Sequence, residues 1–156
     1  MHRFVVRRSS IAEQGVFTTE YVSAAEMIME YVGELVRRPL SDIRERSYKR
    51  TGWGLYFFAI DADFVIDATM RGNMARYINH SCNPNCVAKL ADVEGRRRVF
   101  IVSKHELAPG EELTYDYCLS SEQPNKSAWG DEHEPTSPRT AAIPCNCGAT
   151  NCRGHL

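Results

Sequence analysis

Apolar residues in this chain come in short clusters, separated by polar or glycine-containing breaks, a pattern that favours small strands over long helices. Phe4-Val5-Val6 and Gly15-Val16-Phe17 read as two short strands around a loop at residues 9–14. Residues 27–32 form a compact apolar run that stops at Gly33. Ser23 and Glu26 ahead of it have the spacing of a helix capping box, but the run is short and interrupted, so a strand is expected. Residues 41–50, after Pro39, are polar with Ile43 and Tyr48 at roughly helical spacing, and predict a short surface helix. Residues 55–60 and 64–67 predict a β-hairpin through Asp61-Ala62-Asp63, and residues 86–90 with 97–102 a second across residues 92–95. Residues 72–78 suit one short helix, and Pro109-Gly110 a turn. The fold class these elements predict is mostly β, several small sheets with short helices and no internal repeat.

Composition narrows the class without naming it. A chain of 156 residues is one domain's worth, and 43% hydrophobic with 25% charged residues is that of an ordinary globule. The net charge of -1 gives no overall field toward nucleic acid, and no basic helix flanks the cysteines, which argues against sequence-specific DNA binding. Charge is segregated, however. The first third carries Arg3, Arg7, Arg8, Arg37, Arg38, Arg44, Arg46, Lys49 and Arg50, whereas residues 106–116 are acidic, which suits a basic peptide. No apolar run approaches the ~20 residues of a membrane span, and His2-Arg3-Phe4-Val5-Val6-Arg7-Arg8 is too short and charged for a secretion signal. No membrane association is expected. A reducing compartment is, which favours metal over disulfides for the six cysteines. Residues 118–144 are rich in Ser, Pro, Glu, Asn and Thr, with Trp129 as their large aromatic, and read as a flexible surface insertion.

Chemistry concentrates in three places. Cys145, Cys147 and Cys152 offer three thiolates within a polar, glycine-containing tail, and a structural zinc needs a fourth ligand. Cys82, Cys86, Cys118 and His155 are the candidates, and local chemistry alone leaves Cys82 and Cys86 equally good. Upstream lies Arg76-Tyr77-Ile78-Asn79-His80-Ser81-Cys82-Asn83-Pro84-Asn85-Cys86, and then Glu112-Leu113-Thr114-Tyr115-Asp116-Tyr117. Tyr56, Phe58, Tyr115 and Tyr117 would each, singly, be unremarkable strand core.

In this order, the three pieces resemble the SET-domain protein lysine methyltransferases followed by a post-SET zinc segment. The resemblance implies a SET fold with a C-terminal pseudoknot and a zinc-bound tail. It divides the chain into a catalytic domain at residues 1–117, an insertion at 118–144 and a post-SET segment at 145–156. It implies S-adenosylmethionine as cofactor and one structural Zn(II) held by Cys82, Cys145, Cys147 and Cys152. Asn79 and His80 match the pair that holds the cofactor. Tyr117 matches the catalytic tyrosine, and Tyr115 the position that tunes how many methyl groups are added. Tyr56 matches a channel residue that touches the cofactor, Phe58 lines the same channel, Asn146 contacts the adenine and Leu156 covers it. Ala12, Gln14, Gly15 and Tyr48 complete the implied cofactor set. One departure stands out: the family's first loop reads roughly Ile-His-Gly-x-Gly-Leu-Phe, and this chain has Ile11-Ala12-Glu13-Gln14-Gly15-Val16-Phe17. Glu13 costs little there only if its φ is negative.

Glu30-Tyr31-Val32-Gly33-Glu34, Ser41-Asp42-Ile43-Arg44-Glu45-Arg46, Ile66-Asp67-Ala68-Thr69-Met70-Arg71-Gly72-Asn73 and Asn83-Pro84-Asn85-Cys86 look like the trithorax/COMPASS (mixed-lineage-leukaemia-like) branch. That branch implies methylation of lysine 4 in the histone H3 tail, a nuclear, chromatin-bound setting, scaffold subunits with WD repeats and SPRY domains, and weak activity for the domain alone. The alternatives are another H3 lysine such as lysine 36, a non-histone lysine, or a SET-like module that binds a peptide or partner without turnover. A cysteine-rich segment usually precedes the domain in the lysine-36 branch, and no cysteine precedes Cys82 here.

Overall fold

The computed structural model describes residues 3–117 and 143–156, so most of the expected insertion lies outside the described residues. In chain order the elements are β1 (Phe4–Arg7), β2 (Gly15–Thr18), β3 (Met27–Glu30), β4 (Glu34–Arg37), α1 (Arg38–Thr51), β5 (Phe57–Ala59) and β6 (Phe64–Asp67). A 3-10 turn at Met74–Tyr77 follows, then β7 (Asn79–His80), β8 (Cys86–Val93), β9 (Arg96–Ser103) and β10 (Thr114–Tyr115). They assemble into four small sheets: β1-β2, β3-β9-β8, β4-β6-β5, and the parallel pair β7-β10.

Several expectations shift for local reasons. The helix starts at Arg38, before the expected residue 41, because Pro39 sits in the first turn, where its missing N–H is not needed. Gly52, at φ +73°, ends it and donates its N–H to the Tyr48 carbonyl. The second hairpin is longer than its apolar residues suggested. Its strands run on to Val93 and Arg96 because Glu94 (φ +52°) and Gly95 (φ +75°) form a tight two-residue turn. Residues 72–78 yield only the single 3-10 turn. The Ser23/Glu26 capping box half-forms: the Glu26 carboxylate accepts from the Ser23 N–H at 3.0 Å. No helix follows, since Ala25 takes a left-handed φ of +58° and turns the chain into β3. β3 closes at Glu30, and Gly33 breaks the run because a Cβ there would lie 2.7 Å from the Asp67 carbonyl oxygen. No strand was expected at β4, where Leu35 is 57% exposed and only Val36 is buried.

The core gathers Val16, Val22, Ile60, Ile78, Val99, Ile101, Leu107 and Leu113, all essentially without solvent contact. Ile78 and Leu113 stand immediately before β7 and β10, so the same burial that builds the core brings those two strands together. Beneath α1, the Asp67 carboxylate is fully buried and accepts from Arg44 (2.9 Å), the Tyr48 hydroxyl (3.1 Å) and the Thr69 N–H (2.9 Å). No helix among the described residues is long and apolar enough to cross a membrane.

Candidate functional site

The site grows from the β7–β10 pair. Thr114 lies beside Asn79 and Tyr115 beside His80, and the Ser81 N–H reaches the Tyr115 carbonyl at 3.2 Å. Buried Asn79 spends its amide protons on the Gln14 carbonyl (2.8 Å) and a Glu112 carboxylate oxygen (2.7 Å), with Ser9 Oγ further off at 3.3 Å. Ser9 donates its hydroxyl to the same carboxylate and accepts from the Ile11 N–H at 2.9 Å. The loop at residues 9–14 is thereby tied to β7. A Cβ on Gly15 would come within 2.2 Å of the Glu112 carboxylate, so a glycine is needed there for close approach and not for a left-handed φ. Glu13 is exposed and has no positive φ, so the departure from the family's loop costs the backbone nothing.

Beside this loop opens a cavity of about 280 Å³, lined by Ala12, Glu13, Gln14, Leu55, Tyr56, Arg76, Tyr77, Asn79 and Tyr117. Five of the expected cofactor residues share it: Ala12, Gln14, Tyr56, Asn79 and Tyr117. Gly15 packs under Glu112, and Tyr48 turns to Asp67 from α1. Asn146 is exposed, and Leu156 donates its N–H to the Ile143 carbonyl at 2.9 Å. Buried Arg76 Nε, at the cavity wall, has no hydrogen-bond partner among the described residues, whereas the rest of that guanidinium holds the Ala68 and Thr69 carbonyls and the Tyr77 hydroxyl. A second cavity of about 290 Å³, near Leu35, Ile60 and Phe64, contains none of the candidate residues.

Aromatic rings continue inward from the cavity. Tyr117 packs on Tyr115 (centroids 4.9 Å apart), Tyr115 on Phe58 (6.1 Å) and Phe58 on Tyr31 (5.3 Å). The Tyr117 hydroxyl donates to the Ile78 carbonyl at 2.8 Å. Burial first, then Tyr56 and Glu112, holds its pKa above the ordinary tyrosine value, so it stays protonated through the neutral range. Tyr31, 3% exposed, is raised likewise, mainly by burial. The arrangement is a cluster of packed rings, Tyr31 and Tyr115 buried within it, that meets the cavity at the neutral Tyr117 hydroxyl.

His80 joins this ring cluster to the cysteines. Its Nδ1 accepts the Tyr117 backbone N–H at 3.1 Å, so the proton sits on Nε2 and points at Cys82 Sγ, 3.3 Å away. Burial depresses the imidazole pKa, against the pull of Asp116, and keeps the ring neutral. Cys82, Cys145, Cys147 and Cys152 place their sulfurs within 4.8 Å of one another, a cluster that could hold a metal ion. Backbone N–H groups of Cys82, Arg153 and Gly154 point at sulfurs of Cys147, Cys82 and Cys152, as suits thiolates. The Cys147 thiol is drawn down to about 6, burial being outweighed by the Cys82 and Ala149 N–H groups, while burial and the neighbouring thiols push Cys145 up to about 12. Four such thiols cannot all ionise without a cation among them. Cys86, by contrast, is fully buried at the start of β8, and burial raises its thiol to about 12. Arg153 adds a two-pronged bond to Asp116 (2.7 and 2.8 Å), fastening the tail one residue from Tyr117.

The residues that sequence reasoning missed are Glu13 as a cavity wall, Leu55, Arg76, Tyr77, Tyr31 and Glu112. Arg76, Tyr77 and Glu112 stood inside the two motifs, but their chemistry there could also have been solvated surface.

A sequence model described as SET domain matches residues 13–118. The histone-lysine N-methyltransferase trithorax of Drosophila virilis is 45% identical over 151 residues, 97% of this chain and 4% of that protein. The H3 lysine-4 specific histone-lysine N-methyltransferase of Saccharomyces cerevisiae is 44% identical over 150 residues, 96% of this chain and 13% of that protein. Its counterpart in Schizosaccharomyces pombe is 42% identical over 149 residues, 95% of this chain and 14% of that protein. The chain thus spans only 4% to 14% of the length of these relatives.

Proposed function

The chain belongs to the SET-domain family, and from that premise we propose that it is a histone-lysine N-methyltransferase acting on lysine 4 of the histone H3 tail. The carrying observation is the continuity of the loop-bound cavity with the rings of Tyr117, Tyr115 and Phe58. S-adenosylmethionine, when bound, supplies a methyl group on a positively charged sulfur, open to in-line attack by an amine. Ala12, Gln14, Tyr56 and Asn79 would hold it, and the unpartnered Arg76 Nε is a donor that the cofactor's acceptor groups suit. Phe58, Tyr115 and Tyr117 would strip water from an entering lysine and favour its neutral, nucleophilic form over the ammonium, whose reference pKa is about 10.4. The protonated Tyr117 hydroxyl, its proton given to Ile78, presents oxygen lone pairs to positive charge in the cavity and takes no proton itself.

Zinc suits the four cysteines. A tetrahedral ion with Zn–S bonds of about 2.3 Å sets its sulfurs about 3.8 Å apart, and Cys82 lies 3.8 Å from Cys145 and 4.0 Å from Cys152. The role is structural, holding residues 145–156 against a catalytic unit at residues 1–117, with 118–144 an insertion between them. The substrate reading implies chromatin, hence the nucleus, and scaffold subunits with WD repeats and SPRY domains to raise activity.

Tyr117→Phe tests the mechanism. Methyl transfer from S-adenosylmethionine to an H3 tail peptide, followed by mass spectrometry, is expected to fall by about 10²-fold or more with the melting curve little changed. Undiminished turnover would remove Tyr117 from the mechanism.

A further inference from the structure

We propose that Glu112 is a positioning residue that sets the amide of Asn79 for the amino-acid end of the cofactor; this rests on the methyl-transfer reading above. The Asn79 amide faces two groups that can only accept, the Gln14 carbonyl (2.8 Å) and the Glu112 carboxylate (2.7 Å). Its NH₂ must therefore point at them, which leaves the carbonyl oxygen as the amide's remaining polar atom, on a residue that lines the cavity. An oxygen so placed accepts a hydrogen bond, which matches an α-ammonium and repels a carboxylate. Without Glu112 one anchor of that orientation is gone, and the flipped amide would present a donor to a cation.

The carboxylate is itself held from several sides. Ser9 donates its hydroxyl to both oxygens, at 2.7 and 2.9 Å. The Glu112 backbone bridges to Phe17 of β2, and its carbonyl accepts from Asn85 Nδ2 at 2.8 Å. Gly15 leaves room for the side chain, since any Cβ there would collide with it. One acidic group thus fixes both the loop at residues 9–14 and the amide across from it. Charge-assisted bonds of this kind hold orientation more firmly than neutral ones.

Calorimetric titration of the full chain with three probes tests the assignment: S-adenosylmethionine, S-adenosylhomocysteine, and methylthioadenosine, which has no amino-acid group. Glu112→Ala is expected to weaken the first two by about tenfold more than methylthioadenosine, the worth of one hydrogen bond to a charged group, any loss for methylthioadenosine reporting only the loosened loop at residues 9–14. A merely structural role would weaken all three equally, and that result overturns the proposal, as does unchanged affinity for the first two. If Glu112→Ala does not melt cooperatively, Glu112→Gln carries the same comparison with a loss of about threefold, and no selective loss there is equally fatal. A wild-type chain that binds none of the probes would instead overturn the methyl-transfer reading, and the proposal with it.

Discussion

At residue scale, Glu13 and Gly15 show how one loop position can be free and another fixed. Glu13 has an ordinary backbone conformation and an exposed side chain, so Glu13→Gly gains no conformational relief. It adds unfolded-state entropy instead, and is expected to cost about 0.5–1 kcal/mol of stability without tightening S-adenosylmethionine binding. Denaturant melts and calorimetry check both halves. Gly15 was legible as a family glycine, but its reason was not. The group that demands it, Glu112, lies far along the chain, and no local pattern in the sequence links the two positions. Phe58, Tyr115 and Tyr117 were expected as a set through the same resemblance, and their rings do pack on one another. Tyr31 was not, because it sat in a run that read simply as strand core.

Elements were readable where apolar residues cluster or alternate between turn signals, and four-residue β4, flanked by Glu34 and Arg37, was not. Both hairpins show in the apolar pattern because four or more residues alternate or cluster between turn signals. The β7–β10 pair has two residues in each strand, too few for any period, and its register comes from the buried Ile78 and Leu113 beside it. The place of α1 depends on a group outside its sequence, the buried Asp67 of β6. Burial alone would raise that carboxyl, but bonds from Arg44, Thr69 and Tyr48 outweigh burial and hold its pKa below the ordinary aspartate value. A depressed folded-state pKa adds stability above the unfolded value of about 3.9, and that stability is lost as pH falls through the folded value. Asp67→Asn is expected to cost about 1–3 kcal/mol at neutral pH, since Arg44 loses one of its two carboxylate partners and keeps Glu34 at 2.8 Å. Its melting temperature should also fall less steeply below about pH 4 than that of the wild type. Parallel pH profiles for the two proteins would contradict this role.

On the scale of the whole molecule, the thiol cluster and the Arg153–Asp116 ion pair both join the tail to the ends of β7 and β10 among the described residues. The three tail cysteines were plain in the sequence. Cys82 and Cys86 were not separable by local chemistry; the fold separates them, setting the Cys82 sulfur among the tail thiols and packing Cys86 into the core at the start of β8. Because His80 bonds both Cys82 and the Tyr117 backbone, loss of a metal held by the cluster should be felt at the cavity. Cys147→Ser is expected to release the ion and to weaken S-adenosylmethionine binding by about tenfold or more, measured by metal analysis and calorimetry together. Full metal content in that variant would defeat the ligand assignment.

One measurement reaches both the reaction and its target. Histone H3 tail peptides, each with one lysine replaced by arginine, are incubated with the chain and S-adenosylmethionine and weighed by mass spectrometry. A methyl mass gain is expected on every peptide except the one lacking lysine 4. A gain that survives that replacement, or no gain on any peptide even with scaffold subunits added, would contradict it.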